Sequence, residues 1–497
     1  MGFLRDRWVL STALSGTLLL TTCATAGAAA PRLQASHAQR GASAPQLCND
    51  VSWLNPPNAP SYVTDVPQTP TNCDFHEFVS QNLFALVLGG SPALLSWPTS
   101  DQAFPASGTP ACGGGSPLAG SLRHRLAKHE PRAGARATAS ASGSTLDDII
   151  EATGQALVDQ NGRYVQFEIR VNPQLCQTIS SCQLYKSACV TSAIAANPQF
   201  RFFAGDDQSG IPGVGEVKIA WRVMETCDLP DSPKNCKPDT LSQFVTVSNV
   251  TVSPYSPANS SAVNVTVGMV GFHLAQKTPN HPEFIWGTWE HVANAPVCNT
   301  VDNATCQDPS APSGGVSTAS GWSFTNPPVK VCASGQSGSE CANIVQTNAS
   351  KVQTATNVCR VFPCGGGSEP DNLNQINIAT LNHAIRKKLG SNVWANYFLV
   401  GTLWGPGTTT NGQDPAKPNT GSVQLANSTM ETYFQQSTNN CFSCHTYASN
   451  SSFGANLDFV HSVQRAQQSG SCPVVDFSTC SSGPAVKPIR SSTRGRR

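Results

Sequence analysis

Charge is scarce in this chain: 12% of its 497 residues are Asp, Glu, Lys or Arg, and the formal net charge is +1. Proteins that bind nucleic acid usually carry a basic face, so this composition argues against nucleic acid as a partner. Long apolar runs are also missing beyond the N-terminus, which excludes an internal transmembrane segment. The polar surface is expected to consist mainly of Ser, Thr, Asn and Gln.

The first 30 residues have the pattern of an export signal. A basic start with Arg5 and Arg7 precedes a mostly apolar stretch and then a run of small residues with several A-x-A cleavage sites. Thr22 is bulkier than the residue that usually precedes a lipidated cysteine, so no lipid anchor is predicted at Cys23. We therefore predict a signal peptide, a disordered polar start over residues 31–47, and a periplasmic or secreted location.

The most specific motif lies near the C-terminus, in Cys441-Phe442-Ser443-Cys444-His445. It reads C-x-x-C-H, the attachment signature of c-type haem. Cysteines three positions apart are about one helical turn apart, so both thiols can reach the vinyl groups on one porphyrin edge. The next residue supplies an imidazole to the iron. The pattern predicts one covalent haem c, with its iron bound by His445 as the proximal ligand.

Two other interpretations of the motif remain open. Its cysteines could form an ordinary disulfide beside an unrelated histidine. A zinc site is the third possibility, but no second C-x-x-C pair occurs to complete a set of four ligands. The adjacent histidine favours haem, because the chain contains only 10 His.

The other cysteines predict a disulfide-rich protein. The chain has 19 Cys, and removing Cys23 and the two motif cysteines leaves 16, an even number. These would form up to eight disulfides in an oxidising compartment. The sequence does not fix their connectivity, although short pairings such as Cys359 with Cys364 would pin loops. The close neighbours are Cys176 and Cys182, Cys227 and Cys236, Cys298 and Cys306, Cys332 and Cys341, Cys359 and Cys364, and Cys472 and Cys480.

Period-two alternation of apolar residues dominates the middle of the chain and predicts a largely antiparallel sheet. Helical spacing predicts further elements on both sides of it. Strands are predicted at 163–171, 217–223, 244–252, 262–274, 284–290 and 394–404, and helices at 145–158, 373–389, 428–436 and 459–468.

The fold class predicted from these elements is α+β and disulfide-rich. A β-rich body covers residues 48–420 and contains a low-complexity insertion at 113–145. A helical haem c segment, residues 421–482, packs on this body and is followed by a basic tail at 483–497. Only 52 residues follow His445, too few to enclose a haem alone, so the body is expected to supply much of the pocket.

The sixth ligand of the iron is open among His273, His461 and Met430. No methionine follows Met430, and three of the ten histidines fall between His273 and His291. If the sixth site is empty or water-bound, side chains in this stretch become candidate acid–base or charge-stabilising groups. These catalytic candidates are Lys277, His281, Glu290 and His291.

Four blocks of sequence carry a family resemblance. They are Leu157-Val158-Asp159-Gln160-Asn161-Gly162-Arg163-Tyr164-Val165 leading to Glu168-Ile169-Arg170-Val171-Asn172-Pro173, Gly215-Glu216-Val217-Lys218-Ile219-Ala220-Trp221-Arg222, the stretch His273 to His291, and Leu425-Ala426-Asn427-Ser428-Thr429-Met430-Glu431-Thr432-Tyr433. Together with the motif they make the chain resemble large exported bacterial proteins described as cytochrome c family proteins. The resemblance covers most of residues 75–470 and implies one covalent haem c and a periplasmic or secreted location. It supplies no substrate, and Ala293 and the cysteine-rich insertions depart from it.

Three functions are consistent with these features. The first is an exported protein that transfers electrons through one covalently attached haem to a redox partner. The second is a haem peroxidase or oxygenase that takes a small-molecule substrate in the β body. The third is a secreted disulfide-rich binding protein without haem.

Overall fold

The structure is a computed structural model. It describes residues 47–480 except 90–92, 114–144, 147–148, 152–153, 197–199, 299–321, 327–328, 333–335, 337, 339, 368–372, 406–418, 437–439, 446–447, 452–453, 467, 474, 476, 478 and 479. The predicted signal peptide with Cys23, the polar start up to residue 46, most of the 113–145 insertion and the basic tail lie outside the described residues.

Among the described residues, a nine-stranded sheet forms the body, and nearly all of its strands pair antiparallel. All six strands predicted from alternation are confirmed, each within three residues of its predicted bounds. The sheet consists of β1 (Thr145–Leu146), β2 (Gln166–Val171), β5 (Gly215–Val223), β6 (Thr246–Val252), β7 (Val263–Gln276), β8 (Ile285–His291), β9 (Gly366–Gly367), β10 (Tyr397–Trp404) and β11 (Thr420–Gln424); β3 (Gly205–Asp206) with β4 (Ile211–Pro212), and β12 (Ala448–Ser451) with β13 (Gly454–Leu457), form separate two-stranded ribbons.

Strand β7 is the centre of the sheet. Its Gly268 pairs with both β5 and β6, and its Gly271 pairs with both β5 and β8. Strand β5 therefore runs along one edge of β7, and β6 and β8 follow one another along the other edge. The sheet continues from β8 through β10 and β11, so the C-terminal part of the chain adds a strand to the body.

The two faces of the sheet bury different clusters. Neighbouring residues of a strand point to opposite faces, and Leu274 and Ala275 of β7 accordingly belong to different clusters. The first cluster includes helices α1 and α5, and the second includes α3, α4 and the C-terminal residues Phe442 and Val460. The helices are α1 (Asn72–Val87), α2 (Ser100–Ala103), α3 (Pro173–Ser181), α4 (Ser187–Ala196), α5 (Leu373–Leu389) and α6 (Cys441–Cys444).

Helix α5 is confirmed with its predicted end. Gly390 follows it with φ +58°, and its N–H donates to the Arg386 carbonyl at 3.0 Å, as expected for a glycine cap. The helix predicted at 145–158 is wrong. Residues Ile150 and Ala156 instead form an antiparallel bridge around Gly154, whose φ of +77° is incompatible with a right-handed helix. No helix among the described residues is long and apolar enough to cross a bilayer.

The C-terminal segment is less helical than predicted. The helices expected at 428–436 and 459–468 are reduced to 3-10 turns at Thr432–Phe434 and Ser462–Arg465. Side chains compete for the backbone in the first of these regions, because Asn427 Oδ1 accepts the N–H of Thr429 and Glu431 Oε2 accepts the N–H of Asn427. The described residues of this segment nevertheless belong to the same compact unit as the body.

Seven disulfides join described cysteines, and Cys364 is disulfide-bonded as well. The short pairing of Cys359 with Cys364 is wrong, because Cys359 bonds to Cys298. Spacing along the chain does not report which strands and helices lie together, so four of the bonds join distant segments. The bonds are Cys48–Cys73, Cys112–Cys176, Cys182–Cys480, Cys189–Cys472, Cys227–Cys236, Cys298–Cys359 and Cys332–Cys341.

Two of these bonds attach the end of the chain to α3 and α4, and we expect their removal to be non-additive. With Cys182–Cys480 intact, Cys189→Ala/Cys472→Ala opens a loop of about 15 residues, which corresponds to about 3 kcal/mol of unfolding free energy. Removing Cys182–Cys480 as well opens the long loops that the two bonds close, whose cysteines are 283 and 298 residues apart. This second removal should lower the unfolding free energy by more than the first. Urea denaturation measures both steps.

The local bond Cys227–Cys236, with a separation of 9 residues, is the control. Its removal should lower stability by the same amount in either background, because distant sites add independently. If removing Cys189–Cys472 and then Cys182–Cys480 lowered stability by equal amounts, the two bonds would not be holding the same segment, which would contradict the prediction.

Candidate functional site

Strands β5, β7 and β8 place a row of side chains on the face of the sheet that points away from α1 and α5. Glu216 on β5 pairs with Ala275 on β7, which pairs in turn with Trp286 on β8. Two residues along the strands, Lys218 pairs with His273. Alternate residues of a strand share a face, so these five side chains stand together.

This row forms one wall of a cleft whose empty volume, counted with the open solvent at its mouth, is about 1050 Å³. The opposite wall comes from the C-terminal segment and includes Glu431, Cys441, Cys444, His445 and His461. The cleft therefore lies between the body and the motif.

The motif forms the one-turn helix α6, and its second residue fixes it to the body. Phe442 is fully buried and packs edge-on against Trp286 and Phe459, with ring centroids 6.0 and 5.6 Å away. Burial of such a ring stabilises the folded state by about 1.5–3 kcal/mol. Asn440 caps the helix, and its Nδ2 donates to the Val423 carbonyl on β11 at 2.9 Å. These contacts hold the motif against the cleft.

Cys441 and Cys444 are the two described cysteines that form no disulfide. Burial raises the pKa of Cys441 well above its ordinary value, and the nearby Glu431 carboxylate adds to the rise. Burial also raises the pKa of Cys444. Both thiols are therefore protonated and unbonded at neutral pH, in a chain whose other described cysteines are oxidised.

His445 is held as a neutral imidazole with one defined tautomer. Its Nδ1 lies 2.8 Å from the carbonyl oxygen of Phe459. A carbonyl only accepts, so Nδ1 carries the proton and Nε2 keeps a lone pair. Burial lowers the pKa of His445 well below its usual range, and the neighbouring rings of His461 and His273 and the Lys218 ammonium contribute. This is the state in which a histidine binds a metal through Nε2.

His461 lies beside His445 and stacks on it. The two rings are 3.9 Å apart with an angle of 17° between their planes, and His461 Nε2 donates to the Cys444 carbonyl at 3.1 Å. Ligands on opposite sides of one iron point at each other along a line, whereas these rings lie face to face. The geometry therefore weighs against His461 as the sixth ligand, a role that stays a prediction.

His273 lines the cleft on the sheet wall. Its Nε2 is 3.1 Å from Glu431 Oε1, and both side chains are about one-fifth exposed. Burial alone would raise the pKa of Glu431, but His273 and the N–H of Asn427 outweigh it and hold the pKa below its ordinary value. Of the three candidates for the sixth ligand, His273 is the one on the wall opposite the motif.

Met430 does not line this cleft. It is fully buried in a third cluster with Val270 and Ala293, and its methyl group lies close to Gly271 of β7. A Cβ at Gly271 would collide with Thr429 Oγ1 and press on this methyl group, so the glycine allows the close approach of residues 429 and 430. Met430 has the environment of a core residue, and its role as a ligand stays a prediction.

The catalytic candidates Glu290 and His291 lie in the body, away from the cleft lining. Glu290 is fully buried and bonds to the Arg360 guanidinium at 2.6 Å and to the Ser428 hydroxyl at 2.7 Å. His291 Nε2 donates to the Gln243 carbonyl at 2.9 Å, and its Nδ1 accepts the Ala293 N–H at 3.1 Å. The polar atoms of both side chains are therefore engaged in hydrogen bonds that stabilise the fold.

Lys277 and His281 likewise make contacts outside the cleft lining. Lys277 is fully buried and pairs with Asp458 at 2.7 Å. His281 Nδ1 is 3.3 Å from Glu283 Oε1, and its ring packs edge-on against Phe75 at 4.8 Å. Neither side chain lines the cleft, so the structure does not bring the four catalytic candidates together at one site.

One buried polar atom of the cleft lining, Trp286 Nε1, has no hydrogen-bond partner among the described residues. Burial raises the pKa of Glu216 to about 7, partly offset by a hydrogen bond from the Ser462 hydroxyl and by the Lys218 ammonium. An unpaired buried donor is unfavourable, so Trp286 Nε1 indicates a hydrogen-bond acceptor in the cleft.

Sequence reasoning missed Glu216, Lys218, Glu431 and Ser462 as cleft residues. Alternation on β5 contained a usable signal. Glu216 and Lys218 lie on one face of this strand, and Val217 and Ile219 are buried on its other face. The strand order that sets this face opposite the motif depends on pairing between distant segments.

Comparison with family models, with characterised proteins and with solved structures finds no match. The resemblance to cytochrome c family proteins stays a prediction, and the assignment of the site rests on its own residues.

The raised pKa of Glu216 predicts a pH-dependent stability. Between pH 4.5 and about 7 the unfolded state releases the proton that the folded state retains, so stability falls as pH rises through this window. Glu216→Gln removes this loss, and its unfolding free energy relative to the wild type should grow by on the order of 2 kcal/mol from pH 4.5 to 8. Denaturant unfolding over a pH series measures the difference. Glu340→Gln, at an exposed position, is the control, and a flat difference for Glu216→Gln would refute the prediction.

Proposed function

We propose that the protein is an exported c-type haem protein that transfers electrons through one haem held by Cys441 and Cys444, with His445 bound to the iron. The observation that carries this proposal is the state of the motif. Two unbonded thiols stand beside a neutral histidine whose Nδ1 is occupied and whose Nε2 is available, while the other described cysteines are oxidised.

The residues of the cleft fit such a group. A bound haem supplies a one-electron iron couple. The thiols would hold it covalently, and the His445 imidazole would orient along the direction set by the Phe459 carbonyl. Trp286, whose ring centre is 4.5 Å from that of His445, would exclude water beside the imidazole. The unpaired Trp286 Nε1 offers a donor to the polar edge of a porphyrin.

The location proposed is periplasmic or secreted, and the partner proposed is a redox protein. The seven disulfides support an oxidising compartment. Covalent haem attachment is compatible with that compartment, and the segment with the motif is tied to the body by two of these bonds.

The second candidate is a haem peroxidase or oxygenase with a small-molecule substrate. The observation that favours it is the set of ionisable groups in the cleft lining. Glu216, Lys218 and His273 on the sheet wall face the motif, and Glu431 on the wall of the motif pairs with His273. An electron carrier requires no acid–base groups, whereas an enzyme that handles protons does. A secreted disulfide-rich binder without haem is the remaining alternative and is an outcome of the same test.

Absorption spectroscopy of the protein exported with the haem-attachment machinery tests the proposal. We expect a c-type spectrum in the reduced state that carbon monoxide does not change, because an electron carrier has both axial positions filled by side chains. Cys441→Ala/Cys444→Ala should lose the covalent haem, which intact mass measures. His445→Ala should keep attachment but alter the spectrum, and His383→Ala, at an exposed position on α5, is the control.

The other outcomes select the other candidates. A reduced spectrum that shifts with carbon monoxide would indicate an open or labile site and favour the enzyme. No haem colour in the wild type would overturn both haem functions and leave the disulfide-rich binder.

A further inference from the structure

The backbone that carries the His445 acceptor is strained. Asp458 and Phe459 are consecutive residues other than glycine with φ of +50° and +67°. The left-handed region costs roughly 1–2 kcal/mol for each such residue, and Phe lacks the short polar side chain that makes it tolerable for Asp. Such a turn persists when surrounding contacts over-determine it. This turn orients the Phe459 carbonyl, whose oxygen lies 2.8 Å from His445 Nδ1.

The contacts that hold this turn come from the body of the protein. The Lys277 ammonium, at the end of β7, is 2.7 Å from Asp458 Oδ2, and the two side chains are 0% and 1% exposed. The Phe202 N–H donates to the same carboxylate oxygen at 2.5 Å. Lys277 is itself held, because it donates to the Pro282 carbonyl and lies 4.9 Å above the centre of the Phe284 ring.

We propose that Lys277 and Asp458 are positioning residues that hold the Phe459 carbonyl against His445 Nδ1–H and so set the basicity of the imidazole that faces the cleft. The effect on the iron rests on the proposed function; the effect on the His445 tautomer does not. A hydrogen bond from Nδ1–H to an oxygen fixes the orientation of a ligating histidine and raises its basicity. A more basic ligand favours the oxidised metal, so loss of this bond should favour reduction.

Stability alone is a weak reason for this ion pair. A buried pair gains attraction but loses the hydration of both charges, and apolar replacements of the whole pair are often neutral or stabilising. Burial raises the pKa of Asp458 to about 6 even with Lys277 beside it, so attraction does not fully offset desolvation here. The pair is better explained by the geometry that it imposes on the following carbonyl.

The test uses Lys277→Met/Asp458→Asn, which removes both charges of the pair and still offers Phe202 an acceptor. In the haem-loaded protein, we expect the equilibrium constant for reduction to rise by up to about tenfold, equal to about 59 mV for one electron. Lys277→Arg keeps the charge and should restore much of the wild-type value. Spectroelectrochemical titration gives the potential.

The matched control is the buried pair of Arg222 with Asp159, which are 2.8 Å apart and 6% and 1% exposed, in Arg222→Met/Asp159→Asn. This variant also removes an interior ion pair but leaves the turn intact. Its reduction potential should therefore equal the wild-type value even if the variant is less stable. A potential in Lys277→Met/Asp458→Asn that matches the wild type would overturn the proposal and reduce the pair to a structural role.

A second measurement separates this inference from the proposed function. The ¹⁵N NMR shifts of the His445 ring report its tautomer without haem. In the protein purified without haem, the wild type should show Nδ1–H alone, and Lys277→Met/Asp458→Asn a mixture of tautomers. The same tautomer in both proteins would overturn the inference. The protein could also fail to acquire haem while the variant still shows a mixture of tautomers. That result would support the positioning role and overturn only the proposed haem function.

Discussion

The alternation of side chains along β7 is the constraint on which the site depends. This strand pairs along both edges, so its register is fixed by β5 on one side and by β6 and β8 on the other. Phe272 and Leu274 then face the core under α1 and α5, and His273 and Ala275 face the cleft. A shift of one residue would exchange these sets and bury the imidazole under the helices. The apolar face therefore determines where the polar row stands.

The C-terminal segment lacks a core of its own and borrows that of the body. Phe442, Phe459, Val460 and Val463 all belong to the cluster that includes Trp286 and helices α3 and α4. The bonds Cys182–Cys480 and Cys189–Cys472 hold the following residues to the same two helices. A short segment with one-turn elements can thus keep a defined motif geometry, because its order is imposed from outside rather than by its own hydrogen bonds.

Sequence patterns predicted the elements whose cause is local. The strands and α5 follow from alternation and from the Gly390 cap, and the motif from its own spacing. The disulfide partners of Cys182 and Cys189 could not be predicted, since they depend on how α3 and α4 dock near the chain end. The left-handed turn at Asp458 and Phe459 was missed for a similar reason: its support comes from Lys277 and Phe202, which are distant in sequence. The place of Glu216 in the cleft depends on the strand order, which local sequence patterns do not determine.

The size of the body has a physical explanation in the environment of His445. An imidazole in water is partly protonated near neutral pH, and a protonated imidazole does not bind metal. Burial in the cleft is the largest influence that keeps His445 neutral, and Lys218, on the far wall, adds a repulsion that disfavours a second positive charge. The Lys218 ammonium belongs to the β body, which also supplies one wall of the cleft that buries His445. The β body thus acts on the motif through desolvation, through charge on the opposite wall, and through Lys277, which supports the turn that presents the Phe459 carbonyl.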